Sequence, residues 1–194
     1  MMPPSARKIL QGNVHAANLL LDQLDALADP LQRAAAMVLA ALTDGRQLLC
    51  CGNGGSAADC GHLATEITGR YLLERPGFAA IDLTANHSLV TALVNDYPPQ
   101  QVFARQVQAL GRPKDVLMAL STSGRSVNIQ RALEAARANR MSTIALLGCD
   151  GGVCKGMADV ELIVPSRTTA RIQEVHLLLC HTICDLIDPV LAAG

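Results

Sequence analysis

Apolar residues along this chain gather into two alternating kinds of segment. Five short runs, Gln47 to Cys51, Phe78 to Leu83, Asp115 to Leu120, Thr143 to Leu147 and Val160 to Val164, are each strand-length and continuous rather than alternating. Continuity of this kind predicts strands buried on both faces, as in a parallel sheet covered by helices. Between the runs lie amphipathic stretches, Ala57 to Arg70, Pro99 to Leu110, Ser126 to Ala138 and Thr169 to about Leu191. Strand and helix therefore alternate, which predicts an α/β doubly wound fold. Ahead of the first strand, residues 1–44 read as a pair of helices broken at Ala28-Asp29-Pro30, with Asp29 as N-cap and Pro30 in the first helical position. Their apolar faces exceed what one sheet edge needs, so they are expected to pack against another subunit.

Composition narrows the ligand. With 194 residues, 50% hydrophobic and 17% charged, the chain is expected to form one domain, 1–194, around one sizeable core. The net charge is −1 and the 16 basic residues are scattered, which argues against nucleic acid or a charged membrane as partner. Two Phe, two Tyr and no Trp leave few platforms for stacked bases. Met1 to Gln11 lacks the apolar core of a signal peptide, and charge or glycine interrupts each apolar run, so a cytoplasmic protein is expected. The seven cysteines form no CxxC pair and several sit in apolar segments, which predicts buried thiols rather than disulfides or a thiolate metal site. A small molecule is the ligand class that remains.

Two loops are suited to hold it. After the third strand comes Ser121-Thr122-Ser123-Gly124-Arg125-Ser126-Val127-Asn128, running directly into a helical pattern. Open α/β sheets bind ligands beyond the carboxyl ends of their strands. A helix start there offers unpaired N–H groups and a partial positive charge to a phosphate, with hydroxyls as neutral donors. Four hydroxyls at Ser121, Thr122, Ser123 and Ser126 exceed what capping a helix requires. The loop after the first strand, Cys51-Gly52-Asn53-Gly54-Gly55-Ser56, holds the same topological position, and Asn53 and Ser56 can bond sugar hydroxyls. It is not GxGxxG, and no nucleotide cofactor is expected.

Candidate proton-transfer groups follow. His62 and Glu66, four residues apart, share a helix face just beyond the first loop. On the terminal helix Gln173, Glu174, His176 and His181 interrupt an apolar pattern. A carboxylate and an imidazole suffice to move a proton between adjacent carbons through an enediol, with Glu66 and His181 as the candidates. Periodicity alone does not choose between His176 and His181, and it places Glu174 nearer in phase to His181 than Gln173.

Together these segments resemble the phosphoheptose isomerases of the sugar isomerase (SIS) family. The resemblance rests on CGNGGSAAD at Cys51 to Asp59, H…E…TGRY at His62 to Tyr71, ERPG at Glu74 to Gly77, Asn95-Asp96, STSG at Ser121 to Gly124 and RIQEVH…H at Arg171 to His181. It implies a SIS domain with a five-stranded parallel sheet flanked by helices, assembled as a homotetramer with sites at subunit interfaces. It implies Glu66 as base and His181 as the second proton-transfer group. A phosphorylated sugar would lie among Asn53, Gly54, Gly55, Asn95, Asp96, Ser121, Thr122, Ser123, Ser126 and Gln173, with Arg70 nearby. Zinc, bound in some relatives, would fall to His62, Glu66, Gln173 and His181. The implied reaction converts sedoheptulose 7-phosphate to a glycero-manno-heptose 7-phosphate. A second branch, the tetrameric DnaA-binding replication-initiation factors, shares the hydroxyl loop and RIQE segment but lacks the Glu66 and His181 pair that this chain keeps. Cys60-Gly61 and Arg125 depart from the family pattern.

Overall fold

The computed structural model describes residues 5–193. Its elements are α1 (Ala6–Leu21), α2 (Ala28–Thr43), β1 (Leu48–Cys51), α3 (Gly55–Thr68), β2 (Ala80–Asp82), α4 (His87–Asp96), α5 (Val102–Leu110), β3 (Val116–Ser121), α6 (Val127–Ala138), β4 (Ser142–Gly148), β5 (Val160–Val164) and α7 (Thr169–Ala193). The five strands form one parallel sheet in the order β2-β1-β3-β4-β5. This is the doubly wound α/β architecture that the alternation of runs predicts.

Side chains of the central strands divide by parity between two layers. Leu48, Cys50, Val116, Met118 and Leu120 pack with α2, α3 and α7, while Leu49, Cys51, Leu117 and Ala119 pack with α5 and α6. Strands covered on both faces in this way carry continuous apolar runs because neither parity faces water. The edge strands behave differently. In β5, Val160, Leu162 and Val164 are buried and Glu161 and Ile163 are half-buried, and β2 is half-buried throughout and only three residues long. Both runs read as continuous in the sequence, but an edge strand has only one well-covered face.

Two helix boundaries differ from expectation. Asp29 is not the N-cap of α2: a single 3-10 turn, Leu24–Leu27, runs straight into the helix, so Leu27 takes that place and Pro30 falls third. Proline is tolerated there because the first four helical N–H groups have no intrahelical partner in any case. Helix α4 has no counterpart among the amphipathic stretches, since only Leu93 of it is buried. It is specified locally by Asn86, whose side chain accepts the Leu89 N–H at 3.0 Å.

Helix α7 is long and apolar enough to cross a bilayer by length and composition, although Glu174, Asp185 and Asp188 interrupt its apolar run as expected. Its buried face, including Ile172, Val175, Leu179, Ile183 and Ile187, is instead a main part of the core. Six of the seven cysteines are buried and Cys149 is half-buried, all as thiols. Burial pushes Cys154 up to about 11 and Cys184 up to about 12, so these thiols stay protonated at neutral pH.

Candidate functional site

The chain reverses direction across the sheet between β1 and β3, which are neighbours although β2 lies between them in sequence. Loops leaving the carboxyl ends of such a pair diverge to opposite faces and open a crevice. The two candidate loops flank it. The first, Gly52 to Gly55, turns the chain from β1 into α3, with Gly54 at φ +57° as N-cap. A Cβ at Gly55 would collide with the side chain of Gln173, which therefore lies directly on this loop. Ser56 is buried beneath it, 3% exposed, and a Cβ at Gly52 would meet Ser56.

The second loop carries β3 into α6. Ser126 is the N-cap of α6 but its hydroxyl makes no capping bond; it accepts from the Ser121 hydroxyl at 3.2 Å instead. The start of α6 thus keeps donors for a ligand, which separates this loop from an ordinary cap. Ser123 accepts the Arg125 N–H at 3.1 Å, and Gly124 turns at φ +62° against Gly151, whose carbonyl leaves no room for a Cβ. Arg125 points away to an ion pair with Asp150 at 2.9 Å, beside a 440 Å³ pocket also lined by Cys149, Ser166 and Arg167. The Gly152 N–H and the Arg125 guanidinium hold the Asp150 carboxyl below its usual range.

Farther along α3, His62, Glu66 and His181 come together. The Nε2 atoms of His62 and His181 face each other at 2.8 Å, and His62 Nε2 lies 3.4 Å from a Glu66 carboxylate oxygen. Tyr71 stacks on the His181 ring with centroids 6.0 Å apart, and burial and the Asp185 carboxylate raise its hydroxyl pKa. Behind Glu66 lies a buried ion pair. Arg75 Nε donates to Asp188 at 2.6 Å, and the same guanidinium donates to the Glu66 carbonyl at 2.8 Å and the Ile67 carbonyl at 3.1 Å. Burial works against ionisation of Asp188, but the bonds from Arg75 and the Leu73 and Leu72 N–H groups outweigh it and keep its pKa low.

The structure separates the two histidines that periodicity left equivalent. His176 is fully buried, its Nε2 3.2 Å from the Leu147 carbonyl, and burial lowers its pKa to about 4 despite that bond. It is a neutral core residue. A histidine whose folded pKa lies below its unfolded value binds fewer protons when folded, so stability is lost as pH falls from about 6.5 toward 4. Urea melts should show a loss of up to roughly 3 kcal/mol across that window, and His176→Leu should flatten it. Glu174 is also set apart: it pairs with Arg171, which donates to the Asn13 carbonyl of α1 at 2.7 Å. Gln173, not Glu174, faces the crevice.

Other candidates stand away from this cluster within one chain. Asn95 and Asp96 end α4 at the surface, bonded to each other at 2.8 Å, and Arg70 is exposed with its Nε 3.7 Å from Glu74. Tyr71, Arg75 and Asp188 were assigned no role from sequence, although Tyr71 and Arg75 lie in the TGRY and ERPG segments. Zinc can be tested against the donors. Imidazole nitrogens and carboxylate oxygens are ordinary zinc ligands, and two Nε2 atoms facing at 2.8 Å can share only one proton between them. His62, Glu66 and His181 offer the donor types that zinc takes, but among the described residues no three side chains are placed as a metal cluster, and Gln173, on Gly55, is apart from them.

Strand order, crevice and hydroxyl-rich helix start together define an α/β protein whose sheet offers, at its switch point, a helix start suited to a phosphorylated small molecule. A SIS domain model matches residues 14–148. A phosphoheptose isomerase of Shewanella loihica is 46% identical over 187 residues, covering 95% of each chain. One of Thiobacillus denitrificans is 49% identical over 182 residues, covering 91% of each. The solved phosphoheptose isomerase of Neisseria gonorrhoeae superposes with a TM-score of 0.90 at 42% identity, covering 95% of this chain and all of that one. The chain belongs to the SIS domain family, in the branch of the phosphoheptose isomerases.

Proposed function

We propose that this protein is a cytoplasmic aldose–ketose isomerase that converts sedoheptulose 7-phosphate to D-glycero-D-manno-heptose 7-phosphate for heptose and lipopolysaccharide precursor synthesis. The observation that carries the proposal is the convergence of Glu66, His62 and His181 in a chain of this family. Moving a hydrogen between adjacent carbons needs a base for the carbon-bound proton and a second group for the oxygen-bound one. Glu66 takes the proton from C1 to give the enediol and returns it at C2. His181 carries the hydroxyl proton between the two oxygens. The phosphate docks on Ser121, Thr122, Ser123 and Ser126, and the sugar on Asn53 and Asp96, with Gln173 lying over the glycine loop. Zinc, if held by His62, Glu66 and His181, would polarise the sugar carbonyl, and Glu66 would then have to leave the metal to act as base. The initiator-binding alternative has no observation in its favour.

The spacing along α3 bears on assembly. His62 and Glu66 are two and three turns from Gly55, about 10 and 16 Å along the helix axis. Among the described residues, the side chains of Asn95 and Asp96 make no hydrogen bond to any of the other candidates, only to each other. A homotetramer whose sites close between subunits brings such groups together. The exposed apolar residues of α1, with Leu10 64%, Val14 50% and Ile9 49% accessible, suit burial against another copy. Light scattering is expected to give a tetramer. Mixing the inactive Glu66→Gln and Ser121→Ala/Ser126→Ala variants after subunit exchange should restore part of the turnover. A monomer, or no recovery on mixing, would remove the shared site.

The direct test is turnover of sedoheptulose 7-phosphate by the purified protein, with added zinc and with chelator. Conversion establishes the reaction, and the metal response shows whether zinc takes part in it. Inertness toward this and shorter ketose phosphates under every metal condition would sink the proposal.

A further inference from the structure

The crevice contains one contact that none of the roles above uses. Asn53 of the glycine loop and Asn128 in the first turn of α6 face each other across it as a reciprocal amide pair. Asn128 Nδ2 donates to Asn53 Oδ1 at 2.8 Å, and Asn53 Nδ2 donates to Asn128 Oδ1 at 3.1 Å. Asn128 Oδ1 also accepts the Ile129 backbone N–H at 3.0 Å. A side-chain amide is ambiguous by shape, since its oxygen and nitrogen edges are nearly identical in size, and only its partners decide which way it turns. The Ile129 N–H is shared with the Ser126 carbonyl, also at 3.0 Å, and because a backbone N–H can only donate it favours the oxygen of Asn128 at that edge. The Asn53 nitrogen must then face that oxygen, and the Asn53 oxygen must face the Asn128 nitrogen. The amide of Asn53 is thereby fixed from the backbone of α6, through Asn128.

Asn128 also lines, with Val127, Pro99 and Gln100, a pocket of 230 Å³. It therefore stands where both loops meet the segment that follows Asn95 and Asp96. We propose that Asn128 is a positioning residue for the sugar. It sets which edge of Asn53 is presented to the substrate hydroxyls, leaving one N–H of Asn53 and one lone pair of its oxygen for the ligand. The proposal rests on the isomerase reading for the identity of that ligand, a polyhydroxylated ketose phosphate, but not for the pairing itself.

Asn128→Asp is the informative change. It keeps the shape and the acceptor for Ile129, but sets a carboxylate oxygen against the oxygen of Asn53, so one of the two bonds is lost and Asn53 is no longer held in one orientation. Steady-state kinetics with sedoheptulose 7-phosphate are expected to show KM raised about tenfold and kcat within about twofold, the size of one hydrogen bond made alike in ground and transition states. Asn53→Ala should raise KM similarly. In the Asn53→Ala background, Asn128→Asp should raise KM less than in the wild type: the repulsion between the new carboxylate and the phosphate stays, but the part that runs through Asn53 is gone. Equal losses in both backgrounds, an unchanged KM, or a fall confined to kcat would overturn the proposal. A wild-type protein that turns over no ketose phosphate would sink the isomerase reading instead. The side-chain amide resonances of Asn53, assigned by their absence in Asn53→Ala, then decide the pairing: they should shift in Asn128→Asp, and constancy would overturn it.

Discussion

Glu66→Gln is expected to lower kcat for the ketose phosphate by about 10³-fold or more, with little change in KM and no loss of fold. As the proposed base, the Glu66 carboxylate takes a proton from carbon and returns it, and positioned acid–base groups contribute about 10²- to 10⁴-fold each. The amide has the same shape and keeps a hydrogen-bonding edge toward His62, so packing around residue 66 is preserved. What the exchange removes from the folded state is one contact at 3.4 Å between a histidine 42% exposed and a glutamate 21% exposed. Contacts of that exposure contribute about 0 to 1 kcal/mol. KM is expected to hold because the proposed phosphate site is the hydroxyl loop, at the far end of α3 from Glu66. His181→Ala should cost less than Glu66→Gln, and the double variant should be no worse than Glu66→Gln, because groups acting on one proton circuit are not additive. The measurement is turnover of sedoheptulose 7-phosphate beside thermal melts of each variant. Full turnover by a folded Glu66→Gln protein would remove Glu66 from the chemistry.

The parts of this molecule that were legible in its sequence are those fixed by near neighbours. Five apolar runs gave five strands because a central parallel strand is apolar on both parities, a property visible in a window of six residues. His62 and Glu66 share a face because both lie on one helix, and the hydroxyl loop is read directly from consecutive residues. What could not be read is set by how α3, α7 and the segment between them meet. His176 and His181 are alike in sequence context; one is sealed against the Leu147 carbonyl and the other meets His62, and only the packing of α7 on the sheet tells them apart. Glu174 is in phase with His181 but is claimed by Arg171 at the α1 contact. Helix α4 escaped because it is short and only Leu93 of its apolar residues is buried, although Asn86 marks its start. Asn128 was visible at the end of the hydroxyl loop, but its partner lies 75 residues away. Arg75 stands in the ERPG segment, but its partner Asp188 is 113 residues away.

Arg75 carries the largest expected effect on stability. Its side chain is 1% exposed and that of Asp188 3%, and the two are bonded at 2.6 Å. Asp188 also accepts the Leu72 and Leu73 N–H groups at 3.1 and 2.9 Å, so one carboxylate gathers the whole turn between α3 and β2. Removing either partner leaves a buried charge without its counterion, which costs about 3 to 5 kcal/mol. For a domain of this size, Arg75→Met or Asp188→Asn should therefore lower Tm by about 6 to 20 °C. The double variant should cost less than the sum of the two, since neither charge is then left alone. The low pKa of Asp188 gives this contribution a pH signature. A carboxylate whose folded pKa lies below its unfolded value stabilises fully above the unfolded pKa of about 4 and loses that contribution as pH falls through the folded one. Loss of stability below about pH 4 should thus be smaller in the double variant than in the wild type. The guanidinium also donates to the Glu66 and Ile67 carbonyls, so the pair fixes the last turn of α3 on which Glu66 stands. Arg75→Lys, which keeps the charge but not the fork of donors, should fold and lose kcat more than it gains KM. Thermal melts in which Arg75→Met matches the wild type would show that the pair contributes nothing to the fold, and with it would go the account of how Glu66 is held.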